Sequence, residues 1–353
     1  MFVLISSFAI TAANAGEVSV TGNAKATYNI ASSDSVSAKN DNGKAIGITN
    51  ELTFVGTGEL DNGWTWKWQT ELDPDAAGAT QSDDTQLVIT TGMGTIGIMN
   101  TEGNLSTKYA HAASAYGIGS DNGNGGGMTY GVGMNAYNSI QYTTPAMDML
   151  PYDMAIKVAY SPGDAVEANG AANPGAQSAI NDVKSIKVTG SGNGLSAGAS
   201  YTMVDATADA AQKSETGGVF AKYAAGPFTV GVSRNLYAPN TNAFDTGPEA
   251  TAVSATNNIV KYYTNNAISL GYNVNDNLSI SVDVEESDAE KRTITKANKN
   301  HVENNVKLEI MTAQAAYSMG GMTLAISSKE IENANYVTGK DAKETFFSMA
   351  MAF

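Results

Sequence analysis

Cysteine is absent, which excludes disulfides and thiolate-bound metal and is compatible with an oxidising compartment. No stretch reaches eighteen consecutive apolar residues, so the chain carries no transmembrane helix. Histidine is scarce. His111 and His301 stand far apart in loop-like segments, with no Ser/His/acid or metal-ligand spacing around them, so the sequence points to no catalytic residue, metal or cofactor. Positive charge is also in short supply: 20 Lys and Arg against 35 Asp and Glu give a net charge of −15, which argues against nucleic acid as a partner. Only 16% of residues are charged, and the 36 glycines follow no period. That composition suits many turns and closely spaced strands better than disorder.

What the chain does contain is alternation. In Asn50–Leu72, residues Leu52, Phe54, Gly56, Gly58 and Leu60 alternate with Glu51, Thr53, Val55, Thr57 and Glu59. After Asp61-Asn62-Gly63 the period resumes, with Trp64, Trp66 and Trp68 opposite Thr65, Lys67, Gln69 and Glu71. Period two on both arms of an Asn-Gly turn predicts a β-hairpin. One face carries three tryptophans and the other carries acids and a lysine, the arrangement of a strand with lipid outside and water inside.

The rest of the chain repeats the unit. Phe2–Ile10, followed by Ala13-Asn14-Ala15, reads as a truncated signal peptide over 1–15 that lacks the basic start, leaving a barrel over 16–353. Short turns at Gly92–Gly94, Ser191–Gly194, Ala225–Pro227, Asn275–Asn277 and Gly320-Gly321 alternate with longer polar loops. This predicts an all-β transmembrane antiparallel barrel of about sixteen strands. Phasing each strand by its apolar residues sends Lys25, Glu51, Lys67, Asp283, Glu285, Lys329 and Glu344 inward, and leaves only Lys184 and Arg234 facing out. In Asn304–Met319 the phase changes near Ile310-Met311, which predicts a bulge. Outward aromatics fall into two belts, Trp64, Tyr142, Phe228, Tyr272, Tyr317 and Phe353 by the short turns, Tyr28, Tyr160 and Tyr262 by the long loops. The final strand places Phe347, Met349, Met351 and Phe353 outward, the pattern of a signal for the outer-membrane insertion machinery.

Three stretches resemble a known family. Leu52–Gly63 (LTFVGTGELDNG), Gly92–Ile98 (GMGTIGI) and Asn138–Pro145 (NSIQYTTP) resemble successive strand motifs of the trimeric general porins of Gram-negative outer membranes, in order and spacing. The resemblance implies a cell outer membrane location, contact with its lipids, and passive diffusion of ions and small hydrophilic solutes. It implies that 101–137 is the third loop, folded inward as a constriction, and that the chain forms a homotrimer. The small residues Gly22, Ala24 and Ala26 on the outward face of the first strand fit such an interface. The constriction would be lined by Lys25, Glu51, Lys67, Asn100, Glu102, Lys108, Tyr109, His111, Tyr116, Asp121 and Tyr137. The family's wall arginines align with Glu51, Asn100 and Tyr137, none of them basic, and the Pro-Glu-Phe-Gly loop motif is missing. With those arginines gone, a weak cation preference is expected. Three rivals remain at this level: an outer-membrane hydrolase, a substrate-specific channel using Tyr109, Tyr116 and Tyr130 as a slide, and an adhesin whose Ser120–Gly127 cluster binds calcium.

Overall fold

A computed structural model describes residues 16–33, 43–74, 80–100, 105–117, 128–131, 134, 138–149, 152–162, 180–206, 213–239, 256–295 and 301–353. The expected signal segment and the Ser120–Gly127 cluster lie outside the described residues.

Alternation becomes strands: β1 (Val18–Ser33), β2 (Gly43–Glu59), β3 (Thr65–Pro74), β4 (Thr80–Thr91), β5 (Gly94–Asn100), β6 (Ser139–Thr143), β7 (Met147–Met149), β8 (Tyr152–Ser161) and β9 (Ile180–Gly192). The series continues with β10 (Leu195–Ala206), β11 (Ser214–Ala225), β12 (Phe228–Ala238), β13 (Thr256–Asn273), β14 (Leu278–Thr295), β15 (His301–Met319), β16 (Met322–Glu332) and β17 (Ala342–Ala352). Every pairing is antiparallel, all but β6 with β8 and the closure join sequence neighbours, and β17 closes the ring on β1 from Asn23↔Ala352 to Ser33↔Ala342. Closure removes the open edges that lipid would not tolerate. Both β6 and β7 pair with β8. They are two parts of one strand interrupted around Pro145, which has no N–H to give the ladder. The barrel therefore has sixteen strands.

The hairpin closes as its sequence predicts. Gly63 sits at φ 79°, its N–H donates to Leu60 O at 2.8 Å, and Leu60 N–H donates to Trp64 O at 2.7 Å. Gly58 faces Trp66 across the ladder, and a Cβ there would lie 2.7 Å from the indole, so the glycine makes room for the ring. At the other turns, Gly194, Gly226 and Gly320 take φ of 79°, 57° and 59°, which only glycine adopts at little cost. Outward positions are apolar and exposed, including Trp64, Trp68, Tyr142, Tyr160, Val230, Val232, Ile268, Leu270 and Tyr317. Inward positions are polar: Ser233, Asn235, Asn265, Ser269, Ser281, Asp283, Thr312, Gln314 and Ser327 are all buried inside the tube.

One expectation fails. There is no bulge at Ile310-Met311, because β15 keeps one register against both β14 and β16. The register shifts fall instead at Gln69/Glu71, Val260/Tyr262 and Asp205/Ala206. Val306, Leu308 and Ile310 face inward with the polar residues below them. They join Met128, Tyr130, Ala289, Ile331, Ala334 and Tyr336 in a dry cluster that fills part of the loop-side mouth. The apolar residues there avoid water without facing lipid. Their neighbours Lys307 and Glu309 point out, and Lys307 pairs with Glu286 at 2.8 Å and Glu309 at 2.5 Å. Outward charges are thus more numerous than Lys184 and Arg234. Strand length explains this: β14 and β15 have 18 and 19 residues, where about 9–11 suffice to span the hydrocarbon. Their loop-side ends project beyond the lipid.

Candidate pore constriction

Residues 105–117, in the segment between β5 and β6, run along the inner wall of the barrel. Lys187 Nζ on β9 donates to Ser106 O at 3.0 Å. Thr107 Oγ1 lies 2.9 Å from Ser200 Oγ on β10 and 3.3 Å from Asn235 Oδ1 on β12. Ser269 on β13 takes the next step: its Oγ donates to His111 O and accepts from Ala113 N–H, both at 2.9 Å. Ser281 Oγ on β14 accepts from Ala115 N–H at 2.8 Å, and Gln314 Oε1 on β15 accepts from Tyr116 N–H at 2.9 Å. Tyr116 then reaches β1, where Lys25 Nζ sits 5.1 Å from the ring centroid.

Backbone that runs inside a barrel must have its N–H and C=O groups met. From β13 to β15 the wall meets them with one short hydroxyl or amide per strand, Ser269, Ser281 and Gln314. It also makes room: a Cβ on Gly231 would lie 1.6 Å from His111 O, and one on Gly271 would lie 2.7 Å from Ala113 O. These two glycines fix the closest approach of loop to wall. The return limb is held the same way. Asn265 Nδ2 donates to Thr129 O at 3.0 Å, Thr129 N–H donates to Tyr336 OH at 2.9 Å, and Thr216 Oγ1 donates to Tyr130 O at 2.8 Å.

The opposite wall is charged. Asn23 Nδ2 donates to Glu51 at 2.5 Å and Thr53 Oγ1 donates to Glu71 at 2.9 Å. Glu51, Glu71 and Asp73 bring their carboxylate oxygens within 4.8 Å of one another, all half-buried. Lys67 lies on the same face of β3, two residues closer to the short turn than Gln69. On the loop, Lys108 Nζ sits 4.4 Å from the Tyr109 ring, and Tyr109 meets Tyr130 edge-on at 5.3 Å.

The sequence-derived lining set therefore divides. Lys25, Glu51, Lys67, Lys108, Tyr109 and Tyr116 are half-buried around the lumen. His111 belongs to the loop but does not line water: it is fully buried and turned to the wall, because Gly231 lets its backbone sink against β12. Tyr130 is also buried, packed into the dry cluster rather than forming a slide. Glu102, Asp121 and Tyr137 lie outside the described residues, as does the side chain of Asn100. The anchors Ser200, Asn235, Ser269, Ser281 and Gln314 were not singled out from sequence. Their signal was faint, a series of small uncharged polar residues at inward positions where other strands place charge.

A closed antiparallel barrel of sixteen strands, apolar outside and polar inside, with a loop tethered along its inner wall, defines a channel through an outer membrane. The Gram-negative porin family matches residues 2–335, and the chain belongs to that family. It is an outer-membrane diffusion channel. Among solved structures, it is similar to Salmonella typhi OmpF in complex with daunomycin, at 13% identity over 96% of this chain and 98% of that one, with a TM-score of 0.67. The outer membrane channel DcaP of Acinetobacter baumannii is 14% identical over 96% and 98%, with a TM-score of 0.63. The trimer form of Vibrio cholerae OmpT is 12% identical over 96% and 100%, with a TM-score of 0.58. At such identities the likeness shows a shared fold. No curated protein sequence gives a significant match.

Proposed function

We propose that this pore passes small hydrophilic solutes and ions with a weak preference for cations. The observation that carries this reading is the group Glu51, Glu71 and Asp73, held together on the inner face of β2 and β3. Like charges beside a narrow aqueous path with low-dielectric walls raise the local concentration of counter-ions. Lys25 on the neighbouring strand β1 and Lys108 on the loop, each over a tyrosine ring, offset part of that charge, so the preference is modest. The test is the reversal potential of the reconstituted pore under a potassium chloride gradient. Mild cation selectivity is expected, and clear anion selectivity would sink the reading.

The working unit is a homotrimer in outer-membrane lipid. A trimer form of Vibrio cholerae OmpT shares the fold, and Ala24 and Ala26 leave the outward face of β1 low enough for a neighbouring subunit. Gly22 has a reason within its own chain, since a Cβ there would lie 2.5 Å from the Phe353 ring. Ala24→Trp should release monomers on a native gel; an intact trimer would refute the interface. The exposed, outward Phe347, Met349, Met351 and Phe353 serve as the signal read by the insertion machinery. Phe353→Ala should then slow assembly into the membrane without changing the conductance of the pores that do form.

A further inference from the structure

The histidine of the constriction loop is aimed at two carboxylates. His111 is 0% exposed, Asp283 3% and Glu285 0%. Asp283 and Glu285 share the inner face of β14, and their oxygens and the imidazole nitrogen all lie within 4.8 Å of one another. Ser233 Oγ on β12 is 3.1 Å from His111 Nδ1. His111 Nε2 lies 3.6 Å from Asp283 Oδ2, too far for a hydrogen bond. Nε2 and both oxygens of Asp283 have no hydrogen-bond partner, and neither does Thr312 Oγ1, which faces Asp283 across the β14–β15 ladder. A dry carboxylate with neither oxygen hydrogen-bonded is a costly group to keep.

We propose that His111 Nε2, Asp283 and Glu285 form a site for a divalent transition-metal ion of the Zn²⁺ type, which fastens the constriction loop to the barrel wall. Zn²⁺ takes nitrogen and carboxylate oxygen at about 2.0–2.2 Å, which puts neighbouring ligands of a tetrahedron about 3.4 Å apart. The observed separation of 3.6 Å is close to that, and the distances to Glu285 are no more than 4.8 Å. One imidazole and two carboxylates form a neutral complex with a dication, which suits a buried place. Ca²⁺ and Mg²⁺ want six or more oxygens, which these three side chains do not offer. Ser233 supplies the outer partner: the tautomer that donates Nδ1–H to its hydroxyl leaves the Nε2 lone pair directed at Asp283. The ligands come from the loop and β14, with the supporting serine on β12, so the ion couples the position of the constriction to the wall. The alternative for these groups is an imidazolium beside a carboxylate with no metal, and the two are separable.

The purified, folded protein in detergent is stripped with a chelator and dialysed against Zn²⁺ or Co²⁺. Because the site is buried, the same measurement is repeated with the ion present during refolding. One ion per chain is expected, together with a raised unfolding temperature and, for Co²⁺, a visible absorption band of low-coordinate geometry. His111→Gln and Asp283→Asn should each lose that ion, while His301→Ala, at the other histidine of the chain, should keep it. Ser233→Ala should still bind, about 10–100-fold more weakly. This graded variant keeps the test decisive if the ligand variants fail to refold. Absence of stoichiometric binding under both loading conditions would overturn the proposal. So would binding that survives His111→Gln or disappears in His301→Ala.

Discussion

The two halves of the inner wall do different work with the same strand geometry. From β9 to β15 the inward residues that meet the loop are mostly short and uncharged; on β10 and β12 they hold the Thr107 hydroxyl, and on β13 to β15 they hold loop backbone. On β2 and β3 the inward face carries the acids Glu51, Glu71 and Asp73 beside Lys67. The first half needs hydrogen-bond capacity without bulk, because a backbone must lie against it. The second needs fixed charge, because only water and ions pass it. A barrel interior is therefore not one environment: part of it is protein core in all but name, and part is solvated surface turned inside out.

The sharpest way to break this contrast is Gly231→Val. Its side chain would occupy the place of His111 O, 1.6 Å from the new Cβ. The barrel should still form, while the loop is displaced; open-channel conductance should rise and protease should gain access to the loop. Unchanged conductance would show that the loop does not set the constriction. Next is Ile310→Ala in the dry cluster, with Ile310 only 1% exposed. A loss of about 2–5 kcal/mol is expected in denaturant unfolding, whereas a lipid-facing or solvated position would show far less. Gln314→Leu removes the acceptor that meets Tyr116 and Gly117 N–H. Leaving these half-buried amides unmet should destabilise the loop-closed form by about 1 kcal/mol, read as faster amide exchange at 115–117. On the solvated half, Glu51→Gln with Glu71→Gln should move the reversal potential toward zero and leave stability almost unchanged. Smallest of all is Lys307→Ala: its ion pairs are 41% exposed on each side, and a screened surface pair contributes roughly 0–1 kcal/mol.

Much of the barrel was legible because a strand between lipid and water alternates every second residue, and that period is written locally. Strand number, turn positions and the inward course of Asp283, Glu285, Lys329 and Glu344 all follow from it. The rule broke where its premise broke. In β15 the residues Val306, Leu308 and Ile310 are apolar, and the pattern alone assigns apolar residues to lipid. In the folded barrel they face a neighbouring plug, with Tyr336 and Met128 from distant segments covering them. Only after those segments arrive does the interior become dry at that height. His111 was misplaced for the same reason: a loop histidine reads as solvated until Gly231 is seen to admit it to the wall.

By itself, the sequence determined that this chain closes into a tube with its greasy side out, because alternation and turn chemistry act between residues near one another. It also determined that β2 and β3 carry acids on one face, since Glu51, Glu71 and Asp73 recur at that period whatever the loop does. Tertiary structure alone decided which part of the lumen is wet, which hydroxyls hold the loop, and where the loop histidine His111 points. Those outcomes depend on contacts between segments up to about two hundred residues apart, such as Tyr116 with Gln314, and no local period encodes them.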